Sequence, residues 1–197
     1  MSERVIVRNI TPLARGWGRL DRYEVDHVRQ DGTRQTVLRE VYDHGSAAAV
    51  LMFAPAQRTV ILTRQFRLPP HLNGDPAWLI EAPAGLLDAG EAPDVAARRE
   101  AIEETGYEPE ALEFLFNAYM SGGSLTEKCA CYLGLYIQGQ RQADGGGLSA
   151  EGEDIEVFEL GLDEALAMVA NGAIMDAKTI MMLQALALKL ATGGVTV

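Results

Sequence analysis

Residues 4 to 10 alternate polar and apolar side chains with a period of two, the pattern of a half-buried strand. Arg19 to His27 and Gln35 to Tyr42 repeat the alternation on either side of Asp31-Gly32, a dipeptide suited to a tight turn, and predict a hairpin. A sheet this small cannot stand alone, so it must lean on the rest of the chain or on a second subunit. From Ala47 the pattern changes. Ala47 to Phe53 and Thr59 to Thr63 are apolar runs of strand length, separated by a turn at residues 54 to 58. Pro69-Pro70 and Asn73-Gly74-Asp75-Pro76 predict a loop, and Trp78 to Glu81 a short strand leading into Ala82-Pro83-Ala84-Gly85.

A helix is predicted from Pro93 to Thr105. Pro93 suits the first turn, Asp94 favours the positive end of the helix dipole, and Gly106 stops it, although Ala92 is a poor N-cap. Strands follow at Phe114 to Met120, Lys128 to Ile137 and, after Gly145-Gly146-Gly147, Ile155 to Leu160. Two helices finish the chain, Leu162 to Asn171 and Asp176 to Leu190. Strands interleaved with few helices predict an α/β fold, a mixed sheet in an α/β/α sandwich, with the hairpin as an N-terminal extension. The natural division is residues 1–44 for the β extension and 45–197 for the main domain. No internal repeat is present.

The charge balance adds a constraint. With 28 acidic and 17 basic side chains the formal net charge is −11. Such a chain repels nucleic-acid backbones and anionic membranes, and it also repels a phosphate-bearing substrate unless cations or local arginines reverse the field. No signal peptide is read at the start, and the longest apolar stretches are too short or too interrupted to cross a bilayer. Only Cys129 and Cys131 are present, with no Cys or His nearby to complete a zinc site. Buried spectator thiols in a cytoplasmic protein are the expectation. His27, His44 and His71 are scattered and form no ligand spacing. A serine hydrolase lacks its G-x-S-x-G and a phosphate-binding Walker loop its Gly-Lys-Ser/Thr.

The informative segment runs from Gly85 through Glu91 to Arg99-Glu100-Ala101-Ile102-Glu103-Glu104-Thr105-Gly106-Tyr107. On an α-helical wheel Glu100, Glu103 and Glu104 share an arc of roughly 100°, while Val95 and Ile102 point the opposite way. Three carboxylates on one face repel each other, so something positive is expected there, and magnesium or manganese suits oxygen donors. A plain acidic helix with an Arg99–Glu103 ion pair is the bland alternative. Seven specified residues at fixed spacings arise by chance with probability ~10⁻⁸ per starting position, and that disposes of it.

The pattern G-x5-E-x7-R-E-A-x-E-E-x-G-Y resembles the Nudix box throughout. Flanking segments, Arg39 to Asp43, Arg64-Gln65-Phe66-Arg67, Glu81 to Asp88, and Gly145 to Gly147 with Glu153 to Val157, resemble the GDP-mannose pyrophosphatase group, a relative of the ADP-ribose pyrophosphatases. The resemblance implies a Nudix fold and hydrolysis of the pyrophosphate bond in a nucleotide sugar, GDP-mannose giving GMP and mannose 1-phosphate. The alternatives are ADP-ribose giving AMP and ribose 5-phosphate, and a module that senses a nucleotide without cleaving it. The intact acidic set argues against the sensing module.

The resemblance also implies roles. Glu100, Glu104, the Ala84 carbonyl and Glu153 would bind magnesium, with manganese able to substitute, and Glu103 would be a ligand or a catalytic partner. Glu127 and Glu153 are both eligible as general base. Arg99 would orient the glutamates, and Gly85 would let its loop approach the helix. Trp17, Arg39, Glu40, Arg67, Gly85, Leu86, Glu127 and Lys178 correspond to substrate-binding positions, with Trp17 stacking on the base. Arg64 is expected to hold phosphate or Glu81, with a structural ion pair as the alternative. Two departures stand out: Ser121-Gly122-Gly123-Ser124 lacks the group's usual proline, and extra residues from Ser149 to Gly152 leave Glu151 as an alternative to Glu153. Trp17 and Arg39 on a small N-terminal sheet imply a homodimer with shared sites.

Overall fold

The computed structural model describes residues 4–194, the side chain of Glu151 excepted. They form two compact units. One comprises residues up to Ser46 together with Tyr119–Lys128, the other Ala47–Ala118 with the chain from Cys129 onward.

The first unit is an antiparallel sheet of β1 (Val5–Arg15), β2 (Arg19–Val28) and β3 (Arg34–Asp43), in that order. The hairpin forms where the alternation placed it. At its tip Asp31 Oδ1 accepts from the Thr33 backbone N–H at 2.9 Å and the Thr33 hydroxyl at 2.6 Å. The first strand runs to Arg15, well past its expected end, and absorbs two register shifts, between Val7 and Asn9 and between Pro12 and Ala14. Pro12 is tolerated because β1 is an edge strand. Val5, Val7, Ile10 and Leu38 are each more than half exposed.

A segment distant in sequence completes this unit. Leu125 forms a parallel bridge with Tyr42. The Tyr42 N–H donates to the Ser124 carbonyl at 2.9 Å, and the Thr126 N–H donates to the Tyr42 carbonyl at 3.1 Å. The Thr126 hydroxyl donates to Asp43 Oδ1 at 2.7 Å. Nothing in the hydrophobic pattern marks residues 121–127 for this place.

The second unit holds a mixed sheet of β4 (Ala47–Ala54), β5 (Thr59–Phe66), β6 (Trp78–Glu81), β7 (Ala84–Leu86), β8 (Ala111–Tyr119), β9 (Lys128–Leu135) and β10 (Glu156–Gly161). The main order is β10-β5-β4-β9-β8, with β6 beside β5 and β7 beside β4. Only β4 and β9 run parallel among the pairs with a defined register. Every residue of β4 is buried, as a continuous apolar run requires when both faces are covered. Ala48, Val50, Met52 and Ala54 pack with Ala96, Ala97 and Ala101 of the box segment. Alternation turns Leu51 and Phe53 the other way, and α4 (Ala177–Ala191) contacts β4. Its Met182, Leu183 and Leu186 are fully buried. The α/β/α sandwich is thereby realised, with α3 (Leu162–Ala170) lying against α4 and β10. Cys129 and Cys131 are buried on β9, their Sγ atoms 4.0 Å apart and not disulfide-bonded.

Two local expectations need correction. Residues 68–72 form a short helix, α1 (Leu68–Leu72), where prolines predicted loop, because Pro69 and Pro70 occupy the first turn, whose N–H groups need no partner. The box helix is α-helical only as α2 (Pro93–Glu100) and widens into a π-helical turn at Ala101–Thr105. Among the described residues no helix is long and apolar enough to cross a membrane.

Candidate active site

Arg99 is the hub of the box. Its Nε and Nη2 donate to the two carboxylate oxygens of Glu91, each at 3.0 Å, the planar two-point pairing that a guanidinium makes best. The hydrogen bond from Arg99 holds the Glu91 carboxyl below the usual carboxylate range. Nη1 donates to Glu100 at 2.6 Å and to Glu103 at 3.1 Å, and Nη2 also reaches the Leu86 carbonyl at 3.1 Å. One side chain therefore ties the loop before the helix to two glutamates on it. Gly85 sits on β7, and a Cβ there would collide with the Glu100 carboxylate. Only glycine allows β7 and the helix to approach this closely.

Glu104 is 1% exposed. Its carboxylate accepts from the Thr63 hydroxyl at 3.3 Å and the Ala84 N–H at 3.4 Å, both long bonds. Among the described residues no cationic side chain pairs with it. Burial, reinforced by the charge of Glu100, pushes its pKa up to about 8. Glu100 rises to about 7, burial outweighing the pull of Arg99. The negative field of Glu153 adds to both.

The π-helical turn governs how the chain leaves the box. Within the turn the Ala101 carbonyl accepts from the Thr105 hydroxyl at 2.5 Å. Gly106 then reverses the chain in the left-handed region, φ +77°. The carbonyls of Glu103 and Glu104 accept from the N–H groups of Gly147 at 3.0 Å and Gly146 at 2.8 Å. The glycine triplet thus caps the box helix, and the loop beyond it returns Glu153, whose carboxylate accepts from the Leu148 N–H at 2.8 Å. Glu151, the alternative to Glu153, has a side chain outside the described residues.

A second charged group lies at the end of β6. Glu81, buried, accepts from Arg67 Nε and Lys178 Nζ, each at 2.8 Å. Lys178 also donates to Asp176 at 2.9 Å. Asp176 in turn caps α4 by accepting from the Thr179 N–H and hydroxyl, and the Thr179 hydroxyl accepts from the Ala82 N–H. Burial would lower the Lys178 pKa, but Glu81 and Asp176 more than offset this and hold the ammonium charged. Arg64 takes the structural alternative: it pairs with Glu156 at 2.8 Å and lies over the Phe158 ring, because strand alternation turns it away from Glu81.

The donor chemistry fits a hard divalent cation. Glu100, Glu103, Glu104 and Glu153 are carboxylates, the carbonyl of Ala84 adds an oxygen, and Glu104 is a buried acid with no cationic partner. Arg99 holds Glu100 and Glu103, and no three acidic, His or Cys side chains among the described residues are gathered tightly enough to hold a metal as they stand.

The remaining expected residues belong to the first unit. Arg39 is exposed, its Nη1 donating to the Leu38 carbonyl at 2.8 Å, and Glu40 pairs with its cross-strand neighbour Arg22 at 2.7 Å. Trp17, at the β1–β2 turn, is 77% exposed and stacks on His44, ring centroids 4.8 Å apart. Glu127 lies 3.6 Å from His44 Nε2. Sequence reasoning missed three contributors: Thr63 and Thr179, buried threonines without any local signal, and His44, an isolated histidine without ligand spacing.

A model described as the NUDIX domain matches residues 43–180, and one described as the GDP-mannose pyrophosphatase NudK N-terminal domain matches residues 4–42. A GDP-mannose pyrophosphatase of Pectobacterium atrosepticum is 47% identical over 173 residues, 87% of this chain and 88% of its own length. A GDP-mannose pyrophosphatase of Yersinia enterocolitica is 44% identical, covering 87% and 89%. A crystal structure of an ADP compounds hydrolase shares the fold, with a TM-score of 0.71 at 19% identity over 98% of both chains. The chain belongs to the Nudix hydrolases, on the branch that holds the GDP-mannose pyrophosphatases.

Proposed function

We propose that this protein hydrolyses the pyrophosphate linkage of GDP-mannose to GMP and mannose 1-phosphate, with magnesium, or manganese in its place. The observation that carries the reading is the extent of the likeness: GDP-mannose pyrophosphatases match 87% of the chain at 44–47% identity, N-terminal sheet included. Nudix enzymes are typically dependent on a divalent metal. Here Glu100, Glu104, the Ala84 carbonyl and Glu153 would hold it, and it would neutralise the diphosphate and acidify a water.

The chain's own residues do the rest. Arg67, its Nε fixed by Glu81, presents a guanidinium of set orientation to phosphate oxygens, and Lys178 adds a held positive charge. Together they oppose the negative field of an acidic chain at the point where an anionic substrate must bind. Glu153, on a loop anchored by its glycines to the box helix, takes the proton of the attacking water. Arg99 keeps Glu100 and Glu103 aligned through the reaction. The test is a steady-state panel of GDP-mannose, ADP-ribose and a dinucleoside polyphosphate with magnesium. We expect GDP-mannose to give the highest kcat/KM, by about tenfold or more. A preference for ADP-ribose overturns the substrate.

We infer further that the enzyme works in the cytoplasm as a homodimer with shared sites. Val5, Val7, Ile10 and Leu38 leave apolar surface on the N-terminal sheet uncovered in one chain, which suits contact with a second copy. Light scattering at assay concentration is expected to give twice the chain mass. A fully active monomer would sink the shared site.

A further inference from the structure

Three chain segments meet around His44. The β1–β2 turn carries Trp17 between Gly16 and Gly18, and the Gly16 N–H donates to the Gly18 carbonyl at 2.9 Å. A Cβ on Gly18 would come within 2.7 Å of the Tyr42 ring and the Asp43 carbonyl, so glycine lets this turn press against the end of β3. Residues 124–126 bond along the same end of β3 and bring Glu127 beside it. His44 follows β3 directly, and its imidazole has a neighbour on two sides. One face backs the Trp17 indole, nearly parallel at 20°, while Nε2 points to the Glu127 carboxylate. Tyr42 lies against the imidazole at 5.5 Å. Nδ1 is shut off from solvent without a hydrogen-bond partner. A buried nitrogen left unpaired costs free energy, and that cost is tolerated where the other contacts of the ring matter. A proton on Nε2 faces the Glu127 carboxylate at 3.6 Å, an electrostatic contact longer than a hydrogen bond.

We propose that His44 is a positioning residue that sets the Trp17 indole and the Glu127 carboxylate at a fixed separation as one nucleotide-binding element. The inference rests on the functional reading above and refines it. The outer face of Trp17 is open to stack on a flat base, and Glu127, held from behind, offers its acceptor oxygens to substrate N–H or O–H groups. Glu127 therefore serves binding. Proton transfer falls to Glu153, as in the functional reading above.

The experiment compares full-length His44→Ala, His44→Phe and His44→Gln with the parent. KM and kcat are read with GDP-mannose and magnesium. Steady-state fluorescence anisotropy of Trp17 is read without substrate, in a Trp78→Phe background. His44→Ala is expected to raise KM about tenfold, keep kcat within about twofold, and lower the anisotropy as the indole loses its backing. His44→Phe keeps the stack, so it restores the anisotropy but only part of KM, while His44→Gln restores neither fully. A fall in kcat at constant KM overturns the proposal, because Glu127 would then act in the chemical step. Parental KM and anisotropy in all three variants overturn it as well. An enzyme inert on GDP-mannose but active on another nucleotide refutes the substrate alone; KM for that nucleotide and the anisotropy then decide the role of His44.

Discussion

Glu104→Gln is expected to lower kcat by about three orders of magnitude, roughly 4 kcal/mol of transition-state stabilisation, while the protein stays folded. The two halves of that expectation have one origin. Glu104 is a buried acid held by two long hydrogen bonds, one from a hydroxyl and one from a backbone N–H, with no cation beside it. Glutamine has the same shape and can still accept through its carbonyl oxygen. Glutamine needs neither a desolvated charge nor the uptake of a proton, so the melting temperature without metal should hold or rise at neutral pH. Function has the opposite interest, because the charge that burial disfavours is the one that would hold a divalent cation. Turnover measured at saturating magnesium beside a thermal melt separates the two. Near-normal kcat in a folded variant would falsify the role given to this glutamate.

Chelation should abolish hydrolysis, and added magnesium or manganese should restore it. The physical ground is a set of carboxylates on one helix and its flanking loop in an already acidic chain, with Glu100 at a pKa of about 7 and Glu104 at about 8. Those values also fix the sign of the effect on stability. Both lie above the pKa of an unfolded carboxyl, so the folded chain binds more protons between about pH 4.5 and 8. Chelated protein should therefore lose stability as pH rises through that window, and should be most stable near its acid end. Metal reverses the trend by favouring the ionised forms, so the rise in melting temperature on adding magnesium should grow from pH 6 to pH 8. Hydrolysis persisting in excess EDTA, or a metal-induced shift that shrinks with pH, counts against the assignment.

Much of this is legible in the residues. The seven-residue box announces itself by spacing, and the apolar runs of β4 and β5 announce a sheet covered on both sides. Alternation finds the hairpin because a two-residue period is a local property. What escapes is non-local or depends on hydrogen bonds. Nothing around Leu125 says that it will pair with Tyr42, 83 positions earlier. His44 acquires its surroundings only when the Trp17 turn and the 121–127 segment arrive. The hydrophobic period locates a helix but is blind to a switch from α to π within it, since Ala101 stays buried either way. Arg64 and Arg67, three apart at the end of β5, look alike as candidates for phosphate or Glu81, and only alternation across the sheet separates them.

The π-helical turn bears on how this enzyme can change over generations. A π turn spends one residue more than an α turn for the same advance, so it resembles a one-residue insertion preserved in place. Losing any single residue from Ala101 to Thr105 would let the segment relax into a well-bonded α-helix. The same loss would leave Gly106 near its reversal, since the advance is unchanged, but would change the angles at which Glu103 and Glu104 stand relative to Glu100. The fold would survive such a deletion better than the site. Length variation should therefore be rare between Glu100 and Gly106 and more common in the loop from Gln138 to Gly152, away from Gln142, Ala143 and the glycines that bond to the end of the helix.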